Sequence, residues 1–168
     1  MSIPIEIERK FVIEMPDTSV LSSLPGYSSS DIEQTYLSSD AGVTRRVRAR
    51  KYMGRTVYTE TKKMRIDNMS AHEDEREIMR EEYETLLGEI MTDTVTIFKT
   101  RHTFDFSGRV FEIDIYPNWR KTAILEVELD SRETALDMPN FIKVVAEVTG
   151  DKQYSNAAMS HEFPEELI

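Results

Sequence analysis

Acidic side chains recur at every second position in three short stretches of this sequence. The pairs they form are Glu6 and Glu8, Glu73 and Glu75, and Glu126 and Glu128. Residues two apart in a β-strand project from one face, so each pair would place two carboxylates about 6.5–7 Å apart. Carboxylates at this spacing suit Mg²⁺ or Mn²⁺, which prefer oxygen ligands and are often bound together with water and phosphate oxygens.

Basic side chains repeat with the same spacing. One row consists of Arg46, Arg48 and Arg50, and another of Lys99 and Arg101; Lys10 follows the first acidic pair. Arginine presents a planar fork of donors to phosphate oxygens, and lysine supplies a compact charge. Rows of both signs therefore predict a site that binds a polyanion together with a divalent cation.

A solvated strand face with cross-strand ion pairs is the competing interpretation of any single row. An ordinary half-exposed sheet would vary its polar face with Ser, Thr, Gln and Asn, and like charges opposed across strands destabilise it. With Glu112 and Asp114, this chain has six charged rows, and most of them are backed by an apolar face. This accumulation favours the functional interpretation.

Short strands must carry these rows. Alternation and turn residues predict eight of them, and apolar residues at helical spacing predict a helix over 79–91. Further helices are expected over 18–24, 140–148 and 155–161. The predicted strands cover 3–14, 31–39, 44–52, 56–64, 72–78, 95–106, 109–116 and 123–129. Short connections between them favour antiparallel pairing in a closed barrel or a strongly curved sheet.

The composition excludes several classes of protein. A length of 168 residues suits one domain over residues 1–168, and the absence of cysteine is compatible with a reducing cytoplasm. The net charge of −10 argues against general nucleic-acid binding, which depends on basic surface. No apolar stretch is long enough for a signal peptide or a membrane span. We therefore expect a cytoplasmic protein that binds neither nucleic acid nor membrane.

The order of the motifs resembles that of the CYTH superfamily, the triphosphate tunnel metalloenzymes. The resemblance covers nearly the whole chain and implies an α+β fold, a closed eight-stranded antiparallel β-barrel with helices packed outside. The barrel would form a tunnel lined by both signs of charge. The matching segments are Glu6–Phe11, Glu33–Leu37, Arg46–Arg48, Thr61–Lys62, Phe98–Arg101, Glu112–Asp114, Leu125–Leu129 and Glu147–Asn156.

The same resemblance implies a role for each charged position. Metal-binding positions would be Glu6, Glu8, Glu75, Asp114, Glu126 and Glu128. Substrate-binding positions would be Lys10, Arg46, Arg48, Lys62, Lys99, Arg101 and Lys152. Catalytic positions would be Lys10, Glu8 and Tyr36, with Glu8 orienting the attacking water. Glu82 and Glu84 also fit the middle acidic motif, but we prefer the strand that carries Glu73 and Glu75, because Tyr83 belongs to the apolar stripe of a helix.

The activity implied is Mg²⁺- or Mn²⁺-dependent hydrolysis of a small-molecule triphosphate. Inorganic triphosphate is the leading substrate, because no pocket for a base or ring is evident. Thiamine triphosphatases of the family use an aromatic residue just before the Arg-x-Arg region to stack on the thiamine; in this chain the residue two before Arg46 is Thr44, which cannot stack. A class IV adenylate cyclase, a nucleoside or thiamine triphosphatase, and a non-catalytic polyphosphate-binding module remain alternatives.

Overall fold

A nine-stranded antiparallel sheet dominates the computed structural model, which describes residues 3–168. Eight strands close into a barrel in the order β1-β8-β7-β6-β2-β3-β4-β5, and pairing of β5 with β1 completes the ring. The predicted eight-stranded barrel is thereby confirmed. The strands are β1 (Ile5–Glu14), β2 (Ser28–Leu37), β3 (Val43–Tyr52), β4 (Arg55–Arg65), β5 (Ser70–Ile78), β6 (Ile97–Phe106), β7 (Arg109–Ile115), β8 (Thr122–Glu128) and β9 (Val144–Glu147).

Two tight hairpins help to set the register of the charged rows. Met53 and Gly54 connect β3 to β4, and Ser107 and Gly108 connect β6 to β7. All four residues have positive φ, between 50° and 75°. Two-residue turns of this kind match the right-handed twist of the strands they join. As a result, Arg46 lies opposite Thr61 and Arg101 lies opposite Asp114.

Three short helices complete the fold: α1 (Thr18–Leu21), α2 (Arg80–Leu86) and α3 (Asn156–His161). The predicted helix over 79–91 is confirmed as α2, which a 3₁₀ turn extends over Leu87–Glu89. Its Tyr83 and Leu86 pack against Val47 on the outside of the barrel. No helix within residues 3–168 is long and apolar enough to cross a membrane.

The helix predicted over 140–148 is wrong. This segment instead contains β9, which pairs with the part of β1 that lies beyond the reach of β5. Val12 lies opposite Ala146 in this pairing, and the backbone N–H of Val148 donates to the carbonyl of Lys10. The unpaired edge of β1 and the β-branched Val144 and Val145 favour a strand over a local helix.

Apolar residues pack both outside the barrel and at one end of its interior. Phe11, Ile13 and Leu125 belong to the outer core. Val12 and Ile124 project from the opposite faces of the same strands and pack into an interior cluster with Tyr116. This cluster fills one end of the interior, and charged side chains line the part above it.

Candidate functional site

A cavity of about 610 Å³ occupies the remaining interior of the barrel. Its volume lies in the range of small-molecule sites. Basic and acidic side chains line it in nearly equal number, so most of the acidic excess of the chain lies elsewhere. The charged residues of its wall are Glu6, Glu8, Lys10, Arg46, Arg48, Arg50, Lys63, Arg65, Asp67, Glu73, Glu75, Lys99, Arg101, Glu112, Glu126, Asp151 and Lys152.

Most of the site residues predicted from sequence meet in this cavity. They come from six strands and from the segment that precedes α3, so the barrel brings together residues far apart in sequence. Their roles in binding and catalysis remain predictions. The predicted residues that line the cavity are Glu6, Glu8, Lys10, Tyr36, Arg46, Arg48, Glu75, Lys99, Arg101, Glu126 and Lys152.

Lys62 does not face the cavity, and the prediction that it does is wrong. Thr61 faces inward and donates a hydrogen bond to Glu75, so its neighbour Lys62 projects outward and is exposed. Lys63 takes the interior position instead. Its Nζ lies 3.6 Å from Oε2 of Glu6 and 3.9 Å from Oε2 of Glu73.

Glu128 and Asp114 also differ from their predicted positions. Glu128 lies opposite Glu8, but it is exposed at the end of β8 and is not part of the cavity wall. Asp114 is buried behind the wall, and its carboxylate accepts hydrogen bonds of 2.8 and 2.9 Å from Arg101. The same carboxylate lies 2.8 Å from Nζ of Lys99. Asp114 is therefore the counter-ion of two cations, and both of its carboxylate oxygens are engaged by them.

The middle acidic motif lies on a strand, as preferred from the sequence. Glu73 and Glu75 belong to β5 and line the cavity. Glu82 and Glu84 belong to α2 on the outer surface, where Glu82 accepts a 2.6 Å hydrogen bond from Arg76. The helical position of Tyr83 explains why the second pattern is incidental.

Carboxylates crowd one side of the cavity, on the neighbouring strands β5, β1 and β8. Burial, a hydrogen bond with Glu73 and repulsion from Glu8 raise the pKa of Glu6 to about 9. Burial and repulsion from Glu126 raise the pKa of Glu8 to about 7. Oε2 of Glu6 is buried with no hydrogen-bond partner in the described part of the chain. The crowding therefore keeps a proton on Glu6, and in part on Glu8, near neutral pH, and a bound cation would displace these protons.

The donor set of the acidic wall fits a hard divalent cation such as Mg²⁺ or Mn²⁺. It offers carboxylate oxygens and no thiol or imidazole. Within residues 3–168, no group of three or more acidic, histidine or cysteine side chains is placed to hold a metal ion by itself. Mg²⁺ sites commonly have one or two carboxylates and are completed by water and phosphate oxygens, and this wall can supply such a set.

Cations crowd the opposite side, on β3 and β6. Burial and repulsion from Arg46 and Arg101 lower the pKa of Arg48 to about 10. Burial, with repulsion from Arg101 and Arg48, also lowers the pKa of Lys99 to about 7, although Asp114 opposes the shift. Nε of Arg46 is buried without an acceptor among the residues described. An anion in the cavity would relieve this repulsion and pair with the free donors.

Several residues of the cavity wall were not among the predicted site residues, and three of them show why. Arg50 belongs to the row of Arg46 and Arg48, but only the first two arginines of that row were predicted as site residues. Lys63 lies two residues after Thr61 on β4, so it faces the cavity once Thr61 is known to do so. Asn156 accepts a 2.8 Å hydrogen bond from Tyr116, and it gave no periodic signal because it begins a helix after the last strand.

Comparison with solved structures identifies relatives of this fold. The chain is 27% identical to the inorganic triphosphatase NE1496, with a TM-score of 0.60; the match covers 95% of this chain and 97% of that one. No family model matches the sequence, and no curated protein matches it either.

Two archaeal structures share the fold at lower identity. A conserved hypothetical protein from Pyrococcus furiosus is 24% identical, with a TM-score of 0.56, over 76% of this chain and 82% of that one. The PH1819 protein from Pyrococcus horikoshii OT3 is 18% identical, with a TM-score of 0.58, over 76% of this chain and 80% of that one. These two likenesses concern the architecture alone.

Proposed function

Because this chain belongs to the CYTH superfamily, we propose that it is a metal-dependent triphosphatase that converts inorganic triphosphate to pyrophosphate and phosphate. The observation that carries the proposal is the separation of charge across one cavity. Cations with free donors face crowded carboxyl groups that hold protons until a cation replaces them. A triphosphate and a divalent cation would satisfy both walls at once. The extended similarity to an inorganic triphosphatase supports the same conclusion.

The basic wall would bind and orient the phosphate chain. Nε of Arg46 has no acceptor among the described residues, Arg48 is held by Gln34 through Nε and Nη2 only, and Arg101 is fixed by Asp114 and Glu112. Donors held in place before the reaction stabilise charge as it develops, without reorganisation during the reaction. In hydrolysis that charge appears on the transferred phosphoryl group and on the departing pyrophosphate.

The acidic wall would hold the cation through one or two of the carboxylates of Glu6, Glu8 and Glu126, with water and phosphate oxygens as the other ligands. When bound, such an ion neutralises phosphate charge and lowers the pKa of a coordinated water. Lys10 lies beside this wall, with Nζ 3.4 Å from Oε1 of Glu126. Glu126 and Glu8 raise the pKa of Lys10 against the effect of burial, so Lys10 stays cationic and can pair with a phosphate oxygen.

Water would attack the terminal phosphorus, the phosphoanhydride bond would break, and pyrophosphate would leave. Glu8 would accept a hydrogen bond from the attacking water when it is ionised, and its pKa of about 7 places that change near neutral pH. Tyr36 lies in the wall of the same cavity and would contact the reacting end of the substrate.

The cavity wall favours inorganic triphosphate over a substrate with a ring. Among the residues described, Tyr36 is the one aromatic side chain of the wall, and Thr44 lies two residues before Arg46. Threonine has no aromatic face on which a thiazole or an adenine could stack. The polar and charged wall is complementary to a bare phosphate chain.

Phosphate release tests the proposal directly. Inorganic triphosphate, ATP and thiamine triphosphate would each be incubated with Mg²⁺, with Mn²⁺ and with EDTA, and cyclic AMP would be measured in parallel. We expect turnover of inorganic triphosphate only with metal, loss of that turnover in Lys10→Ala, and full activity in Lys51→Ala, which changes an exposed lysine. Cyclic AMP formation would indicate a cyclase, and binding without turnover would indicate a polyphosphate-binding module.

A further inference from the structure

Gln34 is an uncharged residue held deep in the charged cavity region. Its side chain is fully buried, on β2 and directly opposite Arg48 on β3. Oε1 of Gln34 accepts hydrogen bonds of 3.2 Å from Nε and 2.9 Å from Nη2 of Arg48. Nε2 of Gln34 donates a 3.0 Å hydrogen bond to the hydroxyl oxygen of Tyr36. One amide thus contacts both an arginine and a tyrosine of the proposed site.

Chemistry fixes the orientation of this amide. A guanidinium has donors and no acceptor, so the amide oxygen must face Arg48 and the amide nitrogen must face Tyr36. The Tyr36 oxygen then accepts from Gln34, and its own O–H is left to donate elsewhere. Nη1 of Arg48 likewise makes no hydrogen bond to any described residue. Gln34 therefore leaves each partner with a donor available to a ligand.

Arg101 in the same cavity shows what a carboxylate does in a comparable geometry. Asp114 accepts from Nε and Nη2 of Arg101, the same two nitrogens through which Arg48 contacts Gln34. Glu112 accepts from Nη1 of Arg101 at 3.0 Å. The charge of Arg101 is thereby neutralised within the protein. Gln34 holds Arg48 with the same fork of contacts and adds no charge.

We propose that Gln34 is a positioning residue. It orients Arg48 towards a phosphate group without neutralising the charge of the guanidinium. It also orients Tyr36 as a hydrogen-bond donor to the same ligand. The proposal deepens the function proposed above and rests on the anion-binding part of it. A glutamate at this position would keep the contacts to Arg48 but neutralise it, and would also accept the Tyr36 proton. A methionine would fill the same space and make neither hydrogen bond.

Two variants separate this role from a purely structural one. In Gln34→Glu, we expect inorganic triphosphate to bind about 10- to 100-fold more weakly, the equivalent of one charge-assisted hydrogen bond. In Gln34→Met, Arg48 loses its support but keeps its charge, so the expected loss is less than about tenfold. Gln153→Glu is the matched control, because it makes the same substitution at the only other glutamine, which is exposed.

The measurements are calorimetric titration with inorganic triphosphate in EDTA, and KM and kcat with Mg²⁺. An NMR spectrum of the arginine Nε–H groups reports positioning independently: the Arg48 signal should persist in Gln34→Glu and broaden in Gln34→Met. A structural role predicts the opposite order of affinity, since Gln34→Met loses every hydrogen bond. Wild-type affinity in Gln34→Glu, or weaker binding by Gln34→Met than by Gln34→Glu, would overturn the proposal.

The outcomes also distinguish this inference from the function on which it rests. If the wild type turns over inorganic triphosphate and Gln34→Glu is unimpaired, only the role of Gln34 is wrong. If the wild type binds without turnover and the order of affinity holds, the hydrolase assignment fails and the role of Gln34 stands. A wild type that neither binds nor hydrolyses inorganic triphosphate would refute both.

Discussion

Replacing Asp114 with asparagine should destabilise the protein strongly. Asp114 is 1% exposed and compensates two buried cations, Lys99 and Arg101, at distances of 2.8–2.9 Å. Removing one partner of a buried ion pair costs about 3–5 kcal/mol, because the other charge remains buried and uncompensated. That loss is a large part of the free energy of unfolding of an ordinary domain, which is about 5–15 kcal/mol.

Urea denaturation measures the effect. With a slope of about 2 kcal/mol per molar urea, the Asp114→Asn midpoint should fall by about 1.5–2.5 M. Asp74→Asn is the matched control, since Asp74 is exposed on the outer face of β5 and has no ion pair within residues 3–168. Its free energy of unfolding should change by less than about 0.5 kcal/mol.

Inorganic triphosphate should restore part of the stability that Asp114→Asn loses, because phosphate oxygens can take over the charge compensation of Lys99 and Arg101. A ligand present at 100 times its dissociation constant adds about 2.7 kcal/mol to the free energy of unfolding. If Asp114→Asn unfolded within about 1 kcal/mol of the wild type, the account of Asp114 as the counter-ion of the basic wall would be wrong.

Three further predictions concern the two walls. Lys63→Met should slow the turnover of inorganic triphosphate at least about tenfold. Lys62→Met changes the outer face of the same strand, so its turnover should stay within about twofold of the wild type. Equal effects of the two substitutions in kinetic assays would contradict the register of β4. The raised pKa values of Glu6 (about 9) and Glu8 (about 7) mean that the folded protein holds these protons more tightly than the unfolded chain does. The contribution of these two groups to the stability of the fold is therefore complete below pH 4.5, and it is lost as pH rises through about 7 and 9. Thermal melts in EDTA should show a melting temperature that falls over this range. Adding Mg²⁺ or Mn²⁺ should reverse the fall. Metal binding at pH 7 should also release protons, which calorimetry in buffers of different ionisation enthalpy can count. Glu6→Gln should reduce the number of protons released. Metal binding without proton release would contradict the crowding of carboxylates.

The barrel could be predicted from the sequence because most of the charged rows are backed by an apolar face. Glu6, Glu8 and Lys10 alternate with Ile7 and Phe11, and this period of two specifies both a strand and which side chains share a face. The helix over 140–148 was wrong for a reason that lies outside the segment itself. The free edge of β1 is a tertiary feature, and local spacing carries no information about it.

The errors at the site come from the same limit. Lys62 and Lys63 are adjacent lysines in one strand, so the sequence alone is compatible with either of them facing inward. The pairing of Thr61 with Arg46 and Glu75 shows that Lys63 is the one that does. Asp114 lies in an alternating acidic row like the glutamates. Its role as a counter-ion depends on Arg101 from the neighbouring strand, a contact that spacing alone does not reveal.

Phosphorus NMR of inorganic triphosphate mixed with the purified protein is the most direct measurement of the central claim. With Mg²⁺ or Mn²⁺ present, the account predicts that the triphosphate signals are replaced by pyrophosphate and orthophosphate in equal amounts, and that EDTA stops the conversion. Triphosphate signals that persist unchanged with either metal would contradict it.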